Sequence, residues 1–248
     1  MAHEQVTIRT ADGECPTHVL TPDGPGPIGP FPAVIFYMDG LAIRPTLVEM
    51  AARLAGNGYV VLLPDMFYRF GPYAPLVPKE VFKTDFRAIV GPMMATTDNH
   101  KAAGDTAAFL AYLDSRDDVA GDKIGTVGFC MGGGMALTAA GTYPDRVAAA
   151  ASFHGGNLAT DAATSPHLLA PKIKAEVYVA AADNDHSYPP EMAARFEQAL
   201  RDAGVRFTAE TYEGAAHGWM KPDFPVYDEA AAERGWREML GLFERNLK

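Results

Sequence analysis

The chain predicts an α/β architecture: a doubly wound, mainly parallel sheet flanked by helices, built as one domain over residues 1–248. Three observations carry this expectation. Apolar runs recur at 33–38, 59–63, 147–153 and 175–181, each the length of a strand buried on both faces of a parallel sheet. Segments with apolar residues at helical spacing alternate with them, the pattern of right-handed strand–helix–strand crossovers. Near the middle, the run Ile124-Gly125-Thr126-Val127 turns sharply through Gly128-Phe129-Cys130-Met131-Gly132 into good helix formers. Strand, tight turn, helix is the setting of a nucleophile elbow.

Taken in order, the alternating segments 6–9 and 15–20 flank Asp12-Gly13, a turn dipeptide, and predict an N-terminal hairpin. Residues 21–32 carry repeated Gly and Pro and read as a surface loop. The run 33–38 is the first buried strand, ending in Asp39-Gly40-Leu41. A helix follows over 45–55, with Leu47, Met50, Ala51 and Leu54 on one face, and then the strand 59–63. Residues 66–97 are irregular and aromatic-rich, with one short helix around 80–90, a segment suited to shaping a substrate site. A helix over 98–115 precedes the elbow strand and its helix. Strands at 147–153, 175–181 and 205–212 alternate with a helix over 189–203, and a helix over 226–247 closes the chain.

Composition narrows the function classes. With 48% hydrophobic and 21% charged residues, the chain can fill a globular core. A formal net charge of -10 argues against nucleic acid and anionic membrane surfaces as partners. The first residues have no basic segment leading into an apolar core, and no apolar run reaches the length of a membrane span. Two cysteines, Cys15 and Cys130, allow one disulfide at most. The expected location is therefore the cytoplasm, where Cys130 stays a free thiol and Cys15 is structural.

The chemistry gathers at one edge. Asp39, Cys130, Asp185 and His217 each follow a strand, so the crossover rule brings all four to the same end of the sheet. Cys130 occupies the elbow centre, where side chains two positions either side would collide, hence Gly128 and Gly132. Its sulfur would sit at a helix N-terminus, which favours a thiolate. A nucleophile needs a base, and the base needs an orienting acid. His217, in a Gly-Ala-Ala-His-Gly loop, is the candidate base. His154 ends a strand beside the elbow as a candidate pocket wall, and His186 is a weaker candidate base. Spacing leaves Asp183 and Asp185 both open as the acid. The sequence contains neither a metal-binding motif nor a phosphate-binding glycine pattern, so no metal or cofactor is expected.

Four motifs carry a family resemblance: Gly-Phe-Cys-Met-Gly-Gly at 128–133, Pro64-Asp65 through Arg69, Asp185-His186-Ser187-Tyr188-Pro189, and Gly214-Ala215-Ala216-His217-Gly218-Trp219. From residue 33 to the terminal helix the chain resembles the dienelactone hydrolases (carboxymethylenebutenolidases) of the α/β-hydrolase fold. That resemblance implies a cofactor-free hydrolase of lactones or carboxylic esters, with a Cys130–His217–Asp185 triad and an acyl-enzyme intermediate. It selects Asp185 as the acid, with Asp183 second, and implies oxyanion donors at the backbone amides of Gly40 and Met131. It also implies that Asp39 contacts the resting thiol, although this family typically has the longer glutamate there. Carboxylate-binding cations are implied at Lys221, four residues after His217, and at a second position for which Arg87 and Lys83 are candidates. Trp219 and His154 complete the expected substrate-binding set. The expected partner is a small lactone or ester, with the protein a monomer or small homo-oligomer. Two other readings compete: a degenerate scaffold that binds a small molecule or a partner, and a redox-reactive thiol protein. An intact nucleophile, base and acid favour the hydrolase.

Overall fold

Strand formation follows the apolar runs. The computed structural model describes residues 2–22 and 29–248. Strands β1 (Ala2–Arg9) and β2 (Glu14–Thr21) form the expected antiparallel hairpin, turning where Gly13 takes a φ of +147°. Of the expected loop at 21–32, residues 23–28 lie outside the described residues. The remaining strands are β3 (Phe31–Tyr37), β4 (Val60–Pro64), β5 (Val119–Phe129), β6 (Val147–Phe153), β7 (Glu176–Ala182) and β8 (Phe207–Tyr212). They form one sheet in the order β1-β2-β4-β3-β5-β6-β7-β8. From β4 to β8 every pairing is parallel, while β2 joins β4 antiparallel. Every residue of β4 and β7 is buried, as strands covered on both faces must be.

Helices cover those faces. They are α1 (Pro45–Ala55), α2 (Pro78–Val81), α3 (Phe86–Met94), α4 (Asn99–Asp114), α5 (Met131–Thr142), α6 (Pro190–Asp202) and α7 (Glu229–Leu247). Their starts are chemically marked. Pro opens α1 and α6, where a missing N–H costs nothing. Asp85, Asp98 and Asp228 cap α3, α4 and α7, accepting from the amides of Ala88, Lys101 and Ala231 at 3.1, 2.8 and 3.0 Å. The α1 face Leu47, Met50, Ala51 and Leu54 is buried as its spacing predicts.

Three departures from expectation have local causes. The single helix expected at 80–90 is two, α2 and α3, because Asp85 caps a new helix start rather than continuing the old one. The terminal helix begins at Glu229 instead of 226, set by the Asp228 cap. A 3-10 turn over Pro166–Lys172, with prolines at both ends, joins β6 to β7 without a helical apolar repeat to announce it.

The sheet order fixes the functional edge. The chain runs outward from β3 to β4, then crosses back to β5 on the other side of β3. That reversal opens a crevice at the carboxyl ends of β3 and β5, the usual binding position in open α/β sheets. Residue 39 follows β3 and Cys130 follows β5, so both rim this crevice.

Candidate active site

Cys130 adopts φ +54° and ψ -118°, a conformation that L-residues rarely hold. Backbone bonds fix it there: its N–H donates to the Phe153 carbonyl at 3.0 Å, and its own carbonyl accepts from Gly133 N–H at 3.0 Å. A Cβ at Gly128 would strike the backbone of Gly132, and one at Gly132 would strike the carbonyls of Tyr37 and Met38. The turn therefore closes only with glycine at both positions. Met131 is the first residue of α5, so its N–H has no intrahelical acceptor and lies beside the sulfur-bearing residue. Cys130 is half-buried, and both it and Cys15 are free thiols. Cys15 is fully buried, and burial pushes its thiol up to about 12.

The loops after β7 and β8 bring acid and base together. His217 Nδ1 lies 2.6 Å from Asp185 Oδ2. The other carboxylate oxygen of Asp185 accepts from the Ser187 N–H at 2.8 Å and the Ser187 hydroxyl at 2.7 Å. Burial opposes ionisation of Asp185, yet these bonds and the His217 ring hold its carboxyl below the ordinary range. Burial also works against a charged His217; the Asp185 hydrogen bond and the interaction with Cys130 overcome it and raise the imidazole to about 10. Asp183 does something else. Its carboxylate accepts from Gly214 N–H at 3.0 Å and its N–H donates to the Ala215 carbonyl at 2.8 Å, tying down the loop that carries His217. Ser187, a turn residue by its sequence, sits 3.4 Å from His217 Nδ1 as well as bonding Asp185.

Beneath the crevice lies a buried charge cluster. Asp39 accepts two bonds from Arg44, at 2.8 and 3.0 Å, and one from Leu41 N–H at 2.8 Å. Arg44 also reaches Asp223 through Nε and Nη2, at 2.5 and 3.2 Å. Lys221 Nζ is 3.6 Å from Asp39 and lies 3.5 Å from the centroid of the Phe129 ring. Burial lowers Lys221 to about 7, against the pull of Asp39.

These contacts change several assignments. The carboxylate of Asp39 is occupied by Arg44, and among the described residues no hydrogen bond runs from it to Cys130. Lys221 is fully buried under Phe129 and is absent from the cavity wall, because its ammonium is held by Asp39 and two aromatic rings. Lys83 pairs with Glu80 at 3.0 Å on the surface, Arg87 is exposed, and neither lines the cavity. Trp219 and His154 also lie behind the wall. Trp219 stacks on Tyr212, and the fully buried His154 packs its ring 5.2 Å from that of His217. Burial, with His217 and Lys221 nearby, holds His154 well below its ordinary range, so it stays neutral beside the base. Its ring nitrogens have no hydrogen-bond partner among the described residues. Gly40 and Met131 do line the cavity.

The cavity itself measures about 890 Å³, and its wall includes Cys130, His217, Asp185 and Ser187. Leu41, Phe82, Phe86, Met94 and Phe224 supply apolar lining. No group of three or more His, Cys, Asp or Glu side chains among the described residues is arranged to hold a metal ion.

Comparison with known proteins gives the family and the fold. The model of the dienelactone hydrolase family matches residues 16–247. A carboxymethylenebutenolidase-like protein of Synechocystis sp. is 26% identical over 227 residues, covering 90% of each chain. A protein of Bradyrhizobium sp., named as a lactonase of 2-oxo-3-(5-oxofuran-2-ylidene)propanoate, is 26% identical over 216 residues, with 86% of this chain and 83% of the other covered. The crystal structure of a dienelactone hydrolase-like protein of Klebsiella pneumoniae superposes with a TM-score of 0.84 at 22% identity, covering 98% of both chains. That likeness is one of fold, the α/β-hydrolase fold.

Proposed function

The chain belongs to the dienelactone hydrolase family, and from that premise we propose that it hydrolyses carboxylic esters and lactones by covalent catalysis at Cys130. The observation that carries the reading is the 2.6 Å contact of His217 with Asp185, made by a ring that lines the same cavity as the elbow residue Cys130. Asp185 engages Nδ1 and so leaves Nε2 for the thiol, the arrangement a triad needs.

In this mechanism His217, whose imidazole is raised to about 10, holds the proton drawn from Cys130, and the sulfur attacks the substrate carbonyl, forming a C–S bond. Negative charge moves to the carbonyl oxygen, where the amides of Met131 and Gly40 serve as donors. Collapse of the tetrahedral species breaks the ester C–O bond, and the His217 proton goes to the departing oxygen. Neutral His217 then draws a proton from water, whose oxygen attacks the thioester; collapse breaks the C–S bond, releases the acid, and returns the sulfur and its His217 proton to the resting pair. Asp185 keeps the ring oriented throughout, and Ser187 holds Asp185. Cys130 is the donor to His217, Asp39 stays with its cationic partners, and the Asp39–Arg44–Lys221 cluster supports the floor under the nucleophile.

The test is chemical. Wild type should hydrolyse p-nitrophenyl acetate, and Cys130→Ala should not. Acid quenching during turnover should leave an acyl group on the peptide that contains Cys130, read by mass spectrometry. Iodoacetamide should alkylate Cys130 in step with loss of activity and spare Cys15, which is buried with its thiol raised to about 12. Full activity in a completely alkylated protein would exclude Cys130 as the nucleophile.

A further inference from the structure

The resemblance implies carboxylate-binding cations at Lys221 and a second position, but the wall of this cavity holds none among the described residues. We propose that the substrate is a neutral ester or lactone whose apolar ring or chain docks against Phe82, Phe86 and Phe224; the inference rests on the hydrolytic reading above. Charge is the first argument. Among the described residues the cavity wall includes Asp39, Asp183 and Asp185 but no lysine or arginine, and its basic side chains are His186 and His217. His217 is already engaged with Asp185. The two nearby cations are consumed: Arg44 by Asp39 and Asp223, Lys221 by Asp39 beneath Phe129. A carboxylate entering the cavity would lose water and find no free cation to replace it, a desolvation cost without return.

Apolar architecture is the second argument. Phe82 meets the edge of Phe224 at 5.1 Å and stacks in parallel with Phe86 at 6.0 Å, giving an aromatic cradle. Phe82 and Met94 are 44% and 36% exposed, so this apolar surface is uncovered until something occupies it. Location is the third. The Met94 sulfur lies 3.7 Å from where a Cβ on Gly40 would stand, so the apolar wall begins beside the proposed oxyanion amide. A group attached directly to the reacting carbonyl would therefore meet hydrocarbon first.

Four p-nitrophenyl esters test this: the acetate, the 3-phenylpropanoate, the adipate half-ester and its methyl ester. The methyl adipate should exceed the free acid in kcat/KM by about a hundredfold, and the phenylpropanoate should exceed the acetate by about tenfold, near the lower end of one buried aromatic contact. Phe82→Ala should erase the phenyl advantage through KM, raising KM for the phenylpropanoate about tenfold more than for the acetate. Phe82→Arg should narrow the gap between methyl adipate and the acid. Equal or faster turnover of the acid, or a phenyl advantage that survives in both Phe82→Ala and Phe86→Ala, would overturn the proposal. Calorimetric binding of methyl 3-phenylpropanoate and of 3-phenylpropanoate to Cys130→Ala separates specificity from chemistry. Preference for the methyl ester there supports the cradle even in a protein that cleaves none of the esters, an outcome that would remove only the hydrolytic reading. Absence of that preference overturns the cradle itself.

Discussion

Two aspartates follow the same strand, and the geometry divides their work. Asp185 faces the His217 ring, while Asp183 ties the loop on which that ring is mounted. We predict that Asp185→Asn lowers kcat by about 10³- to 10⁴-fold with little change in KM, because an amide favours the wrong imidazole tautomer. Asp183→Asn should cost less in kcat and lower the melting temperature instead. A larger kcat loss at Asp183 would reverse the assignment. Cys130 and His217 are legible in the sequence because backbone constraint marks them: paired glycines at the elbow, small residues around the histidine. Ser187 is not, since a serine two residues after an acid is ordinary turn chemistry until the fold shows what its hydroxyl meets. Lys221 misleads for the opposite reason. Lysine is expected at the surface, and nothing nearby in sequence announces that Asp39, Phe36 and Phe129 enclose its ammonium.

At the scale of elements, the site depends on loops from distant parts of the chain holding a common register. Arg44, just ahead of α1, spans two of them: it grips Asp39 after β3 and Asp223 beyond the His217 loop. Gly40 is adjacent to Asp39, so the clasp also positions the proposed oxyanion amide. Both Arg44 and Asp39 side chains are 1% exposed, which makes removal of one partner costly. We predict that Arg44→Met destabilises the protein by about 3–5 kcal/mol in urea titrations, the range for breaking a buried ion pair. The double variant Asp39→Asn with Arg44→Met should recover part of that loss, whereas strict additivity would show that the two side chains do not act together. The strands and long helices that frame these loops are legible from their apolar period, as on the buried face of α1, whereas the exact start of α7 is set by an aspartate cap that the period does not show. The segment holding α2 and α3 is not. Its short helices lack a long repeat, and their side chains rest against Leu41 and Phe224, residues far away in the chain.

For the molecule as a whole, two perturbed groups near the nucleophile bear on folding in opposite directions. His217 is raised from 6.5 to about 10, despite burial, by Asp185 and Cys130. Between those values the folded chain keeps a proton that the unfolded chain has released, so stability falls as pH rises. Its contribution is complete below about pH 6.5 and gone above about pH 10. Lys221 is lowered by burial from 10.5 to about 7, so in that window the unfolded chain holds the extra proton and stability rises with pH. The windows overlap from about 7 to about 10, where the two slopes oppose each other. We predict a shallow stability curve for wild type across this range. Lys221→Met keeps an apolar stem beneath Phe129 and removes the rising component, so its melting temperature should fall steadily from pH 7 to pH 10. His217→Gln removes the falling component, and its melting temperature should climb over the same interval. Thermal scans of the three proteins in matched buffers decide the matter. Parallel curves for all three would mean that neither group changes its proton on folding, and that the buried charges under Cys130 remain ionised throughout.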